Sequence, residues 1–182
     1  MARVDVGTAA LRESARPATR ADVETLAALA TEALTEQQDT RGGWVWSRRE
    51  ARSRPFAVSL ETALADPDQQ VWAGEVDDVV VGYCVAGVEV LATGDLLGVV
   101  HDVFVTPAAR EVAVGERLVE AVLEWCEERG CVGVDALALP GNRATKNFFE
   151  SFGFKARLLT VHRPLRAQGP AGRPGPDSAK LS

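Results

Sequence analysis

The sequence predicts an α/β fold, with helices and strands interleaved along one domain, on three observations. Strand-like and helix-like runs follow the order β-α-α-β-β-β-α-β-α-β between residues 14 and 162. Two β-rich runs, 70–76 and 79–91, flank Asp77-Asp78, which suits a tight turn and an antiparallel hairpin. A third run, 97–105, ends in a small-residue loop that opens directly into an amphipathic helix.

Each element has a local reason. Residues 14–19 read as a short first strand. Thr19 or Asp22 supplies an N-cap for a helix over 21–37, in which Val23, Leu26, Ala27, Ala30 and Leu34 recur at helical spacing. Residues 39–55 are less regular, with Gly42-Gly43, Trp44, Trp46 and five arginines, 41, 48, 49, 52 and 54. A helix follows and ends before Asp66-Pro67. In 115–129, Leu118, Val119, Val122, Leu123 and Cys126 form one stripe while five glutamates fill much of the rest, and Gly130 ends the helix. Residues 131–139 read as a buried strand, 143–152 as a helix turned by Gly153, and 154–162 as a final strand. Residues 1–13 carry little pattern and read as loosely held. The domain spans 14–166, and the Gly/Pro-rich stretch 167–182 reads as a disordered tail.

Composition narrows the function. The chain has 182 residues and is 46% apolar, enough for one core. No apolar run approaches the ~18 residues of a membrane span, and the start lacks the apolar core of a secretory signal. A cytoplasmic protein without membrane contact is therefore expected. A net charge of −6 argues against general nucleic-acid binding, which needs a basic face. The three cysteines, 84, 126 and 131, have no metal-ligand spacing, and two histidines cannot build a His-rich centre, so no metal is expected.

The chemistry concentrates at VTPAAREVAVG, residues 105–115. The first amides of a helix lack intrahelical partners and carry partial positive charge, so a phosphorylated ligand is expected there. Val105-x-Pro107-x-x-Arg110 followed by Ala113-x-Gly115 resembles the pyrophosphate loop of the GNAT superfamily of acyl-CoA N-acyltransferases, V-x-P-x-x-R/Q-x-x-G-x-G/A. A second block, NRATKNFFESFGF from Asn142 to Phe154, is similar to that family's N-x-x-A-x-x-F-Y-E-x-x-G-F. The resemblance covers residues 14–164.

That resemblance implies a GNAT fold: a mixed, mostly antiparallel central sheet of six to seven strands with helices on both faces. Its fourth and fifth strands, here 97–105 and 131–139, splay to admit an acyl-pantetheine arm. It implies acetyl-CoA as co-substrate and direct transfer, in a ternary complex, to a primary amine of a small molecule or peptide. The implied cofactor-binding residues are Val103, Phe104 and Val105 on the strand; Arg110, Glu111, Val112, Ala113, Val114, Gly115 and Glu116 at the loop and helix start; and Asn142 and Phe149 in the second block. An amide within 103–105 would donate to the thioester carbonyl.

An ammonium substrate must lose a proton before it can attack. The family often places the base on the strand before the loop, which here presents His101 and Asp102. Strand neighbours face opposite ways unless a bulge intervenes, so one of the two, His101, is expected in the cleft. The family's tyrosine acid is Phe149 here, and Tyr83 reads as a core strand residue. Asn142 is expected to cap its helix, and Arg110 to anchor the loop or reach a phosphate. The arginines and tryptophans of 39–55 suit either an acidic or aromatic acceptor or, more simply, a solvated helix with its tryptophans folded under. Ala113, Glu111 and Phe149 depart from the family pattern. They keep open an acyl-CoA-binding sensor and a structural protein with a relict fold. Oligomeric state is open, with a homodimer among the options.

Overall fold

The hairpin signal at Asp77-Asp78 organises the sheet. Both aspartates adopt positive φ, 47° and 66°, which fits a two-residue turn whose twist matches the strands it joins. β2 (Gln69–Val76) and β3 (Val79–Val90) pair antiparallel across it. In the computed structural model, which describes residues 11–140 and 142–165, β1 (Glu13–Pro17) joins the outer edge of β2. β4 (Leu96–Val105) pairs antiparallel with β3, and β5 (Cys131–Ala136) lies parallel to β4. The first ten residues of the expected loose start, and the whole expected tail, lie outside the described residues.

Helices cover both faces of this mixed sheet. On one face α1 (Val23–Gln37) and α3 (Phe56–Ala65) pack Leu26, Leu29, Leu34 and Leu60 onto Val71, Tyr83, Val85 and Phe104. Asp22 accepts hydrogen bonds from the amide and hydroxyl of Thr19 (2.7 and 2.9 Å) and from Arg16, which also reaches Glu75 and ties the start of α1 to β1 and β2. On the other face α4 (Val114–Glu128) buries Leu118, Val122 and Cys126 on Trp72, Cys84, Ala86 and Val100. Each such side chain contributes ~1.5–3 kcal/mol of apolar burial. The amphipathic stripe of 115–129 thus becomes a buried face. Gly130 ends that helix at φ 74°. α5 (Arg143–Ser151) is the last regular element among the described residues, and Gly153 turns the chain after it at φ 83°.

Three expectations need correction. The sheet has five strands among the described residues, not six to seven. The missing one is the final strand: 154–162 carries no ladder, and Leu158, Leu159 and Val161 are exposed. Its apolar alternation slips by one position at Leu158-Leu159, so neither face can be wholly buried. An ion pair from Arg157 to Asp135 ties it to β5. For the same reason β5, expected to be buried, is an edge strand with Val132 exposed. Finally, the irregular stretch 39–55 contains a seven-residue helix, α2 (Gly43–Arg49). Gly42 turns into it at φ 89°, and Gly43 is pressed so closely on the Gln37 carbonyl that no side chain would fit.

A methyl on Gly98 of β4 would stand 2.5 Å from Cys126 Sγ of α4. Gly98→Val is therefore expected to destabilise the protein by about 1–3 kcal/mol through overpacking, read as a fall in the urea midpoint. An unchanged midpoint would contradict the described seating of α4.

Candidate functional site

β4 and β5 pair only from Leu96 opposite Cys131 to Val100 opposite Ala136. Beyond that point β4 runs on for five residues with β3 on one side and, among the described residues, no strand on the other. The chain after β5 swings to the corner between α1 and α2, where a methyl on Gly42 would stand 3.3 Å from Pro140 Cδ. The parted strands thus open a cavity of about 340 Å³ between the sheet, α1, α2 and the start of α5.

A bulge in β4 sets the cavity's polar floor. Val85 lies opposite Asp102 and Ala86 opposite Val100, which leaves His101 as the extra residue. The bulge turns His101 and Asp102 to the same side, and both line the cavity, so the expectation that only one of them faces the cleft is corrected. The His101 ring lies over Gly87, where an added methyl would meet Nε2 at 2.6 Å. Its partial burial lowers its pKa below the ordinary 6.5. The charge of Asp102 opposes that shift and Arg52 adds to it.

Asp102 is already paired. Arg52 Nε and Nη2 both approach its Oδ2, at 2.6 and 2.5 Å, and Arg52 Nη1 donates to the Ser59 carbonyl. Both side chains are about 10% exposed. Sequence reading missed this partner, because Arg52 is one of five arginines and no spacing marks the buried one. The others follow the solvated reading: Arg41, Arg48, Arg49 and Arg54 are exposed, with Arg48 stacked on exposed Trp44 at 4.4 Å. Trp46 instead lines the cavity. Tyr83, expected as a core residue, is 2% exposed and also borders the cavity. Burial, with the charge of Asp102, raises its pKa well above 10.0, so it keeps its proton.

The loop after β4 begins with a 3-10 turn, Pro107–Ala109, and enters α4 through Ala113, whose φ is −58°. Such a negative φ admits the extra methyl where the resemblant motif has glycine. Among the described residues, the amides of Gly115 and Glu116 have no hydrogen-bond acceptor, whereas that of Arg117 bonds the Ala113 carbonyl. Gly115 and Glu116 line the cavity with Val103, Phe104, Val105 and Arg110. Glu111, Val112, Ala113 and Val114 do not: Glu111 points to solvent, and the Val112 and Val114 side chains belong to the core under α4. Arg110 acts as an anchor. Its Nε donates to the Val105 carbonyl (3.0 Å), its Nη2 to Glu36 (2.6 Å), and it lies 5.5 Å from the Phe104 ring.

On the far wall Asn142 caps α5, its Oδ1 accepting from the Thr145 amide at 3.1 Å. Phe149 is 5% exposed and packs on Phe148 and Phe154 at 5.5 and 5.2 Å between ring centres. Both Asn142 and Phe149 border the cavity. No helix among the described residues is long and apolar enough to cross a membrane.

Comparison with known proteins bears on this arrangement. Residues 25–154 match the model of the acetyltransferase (GNAT) family. No curated protein sequence matches the chain. Among solved structures, the chain is similar to aminoglycoside N-acetyltransferase AAC(6')-Iy in complex with CoA, at 15% identity and a TM-score of 0.66, covering 89% of this chain and 100% of that one. It is similar to an aminoglycoside acetyltransferase from an uncultured soil metagenomic sample in complex with sisomicin, at 18% and 0.61, covering 87% and 97%. It is also similar to a transcriptional regulator from Bacillus halodurans C-125, at 21% and 0.63, covering 84% and 100%. At these identities the likeness is one of fold.

Removing Arg52 would leave Asp102 buried without a cation. Arg52→Met is expected to cost about 3–5 kcal/mol, and Arg52→Met with Asp102→Leu to recover most of it. Chemical denaturation of both variants checks this; a loss below 1 kcal/mol in the single variant would contradict the pairing.

Proposed function

The chain belongs to the GNAT acetyltransferase family, and on that premise we propose that it moves an acetyl group from acetyl-CoA to a primary amine by direct attack in a ternary complex. The observation that carries the proposal is the meeting of two features. The gap between β4 and β5 runs from the His101 bulge toward the acceptor-free amides of Gly115 and Glu116. Such amides at the start of a 15-residue helix suit a pyrophosphate. The one-sided stretch of β4 through Val103, Phe104 and Val105 suits an extended arm that borrows strand hydrogen bonds.

In this reading Arg110 holds the loop through the Val105 carbonyl and Glu36. Asn142 and Phe149 border the arm from α5. His101 is the base. Its lowered pKa keeps the imidazole neutral near pH 7, with a lone pair for the ammonium proton, directly or through water. Asp102 positions Arg52 and adds negative potential beside His101. The leaving thiolate, with a solution pKa of ~8.5, departs without a protein acid. A small-molecule acceptor agrees with the similar structures, which are aminoglycoside acetyltransferases. Phe149 favours one second reading, a binding module with little turnover, because it brings no hydroxyl to that wall.

Two measurements test the proposal. Acetyl-CoA at 100 times its Kd should stabilise the protein by about 2.7 kcal/mol, and Gly115→Leu, which crowds Phe148 and fills the gap, should abolish the shift. No shift at millimolar acetyl-CoA would overturn the reading; a shift without thiol release on any amine would favour the binding module. The neutral imidazole is the active form, so kcat/KM should be full above the His101 pKa and fall as pH drops through it, with an acid limb below 6.5. His101→Gln should lower kcat about 100-fold or more and remove that limb while keeping the acetyl-CoA shift. An unaltered profile would remove His101 from the mechanism.

A further inference from the structure

Across the His101–Asp102 floor from the strand gap, the cavity is closed by α1, α2 and the segment leading into α3. Its wall there is mostly apolar. α1 contributes Ala30, Ala33 and Leu34, with Glu36 and Gln37 at its last turn, while the larger Leu26 and Leu29 fill the core on the same helix. Two alanines at i and i+3 share a face, and on this face they leave a hollow that leucine would fill. Trp46 of α2, Ala51 and Phe56 complete the wall.

Among the described residues that line this end, the carboxylates are committed, and Glu89, whose charge reaches His101, lies outside the lining. Asp102 is held by Arg52 and Glu36 by Arg110. Glu116 also borders the cavity, but at the start of α4, where the co-substrate's phosphates would lie. One amine nitrogen can sit beside His101 and Asp102. A second ammonium group on the same molecule would enter a mostly apolar wall with no unpaired carboxylate among the described lining residues to receive it, which is costly. The cavity volume, about 340 Å³, is near the low end of small-molecule sites (~300–1,000 Å³) and must also admit the pantetheine end.

Resting on the acetyl-transfer reading, we infer that the acceptor is a small apolar monoamine, an arylalkyl- or alkylamine whose uncharged body fills the hollow bounded by Ala30, Ala33, Trp46 and Phe56. Polycationic amines are selected against by the lack of partners for their further charges. The alanines set the depth of the hollow and Trp46 sets its width.

The test pairs two readouts on the full chain. Thiol release from acetyl-CoA is followed with phenethylamine, tryptamine, hexylamine, spermidine and kanamycin, and thermal shift is followed with each amine added to the CoA-saturated protein. The expected result is kcat/KM at least tenfold higher for the three monoamines than for spermidine and kanamycin. Ala33→Leu should raise the monoamine KM at least tenfold with the acetyl-CoA shift intact. Should that variant fail to fold, Trp46→Ala provides the second test, moving preference from hexylamine toward tryptamine. Equal or better turnover of the polyamines would overturn the acceptor class and leave acetyl transfer standing. Monoamine shifts without thiol release from any amine would overturn acetyl transfer and leave the apolar site standing. Neither shift nor turnover with the monoamines would overturn the inference itself.

Discussion

The parting of β4 from β5 after Val100 and Ala136 is the constraint on which the site depends. Here β4 outlasts β5 by five residues, and those residues carry the bulge, the floor of the cavity and the entry to the loop before α4. A single extra residue, His101, then does two things. It turns two polar side chains to one side, and it shifts the strand so that Phe104 enters the core under α1 while Val105 packs under α4. The polar groups therefore stand where apolar packing from both faces fixes the backbone beneath them.

Two ion pairs fasten the surrounding elements to this strand. Arg52 ties the segment before α3 to Asp102, and Arg110 ties the end of α1 to the loop after β4 through Glu36. The first is buried and the second is exposed, so they differ in kind. The buried pair is costly to break singly and fixes geometry. The exposed pair is worth little by itself, and the carbonyl of Val105 does more to hold Arg110 in place. Together they bring three helices around one gap without any of them crossing it.

Much of this was legible in the sequence because it rests on local rules. The hairpin follows from Asp77-Asp78, α4 from a stripe of apolar residues against glutamates, and the cap of α5 from Asn142. The two motif blocks located the loop and the far wall. What was not legible depends on tertiary contact. The slip in apolar alternation at Leu158-Leu159 is written in the sequence, but the pattern alone does not say that it costs 154–162 its pairing. Nothing in the arginine-rich stretch distinguishes Arg52, whose partner lies 50 residues away. The bulge that turns both His101 and Asp102 inward comes from the register between β3 and β4, which a strand pattern cannot carry. Within the motif loop, sequence could not separate Gly115 and Glu116, which border the gap, from 111–114, which face solvent or core.

A structure of the protein with CoA bound tests the central claim most directly. The account predicts the pyrophosphate within hydrogen-bonding distance of the Gly115 and Glu116 amides, with the pantetheine arm between β4 and the chain leaving β5 and the sulfur near His101. A nucleotide seated elsewhere, or a gap closed by the Phe148 and Phe149 side chains, would contradict it.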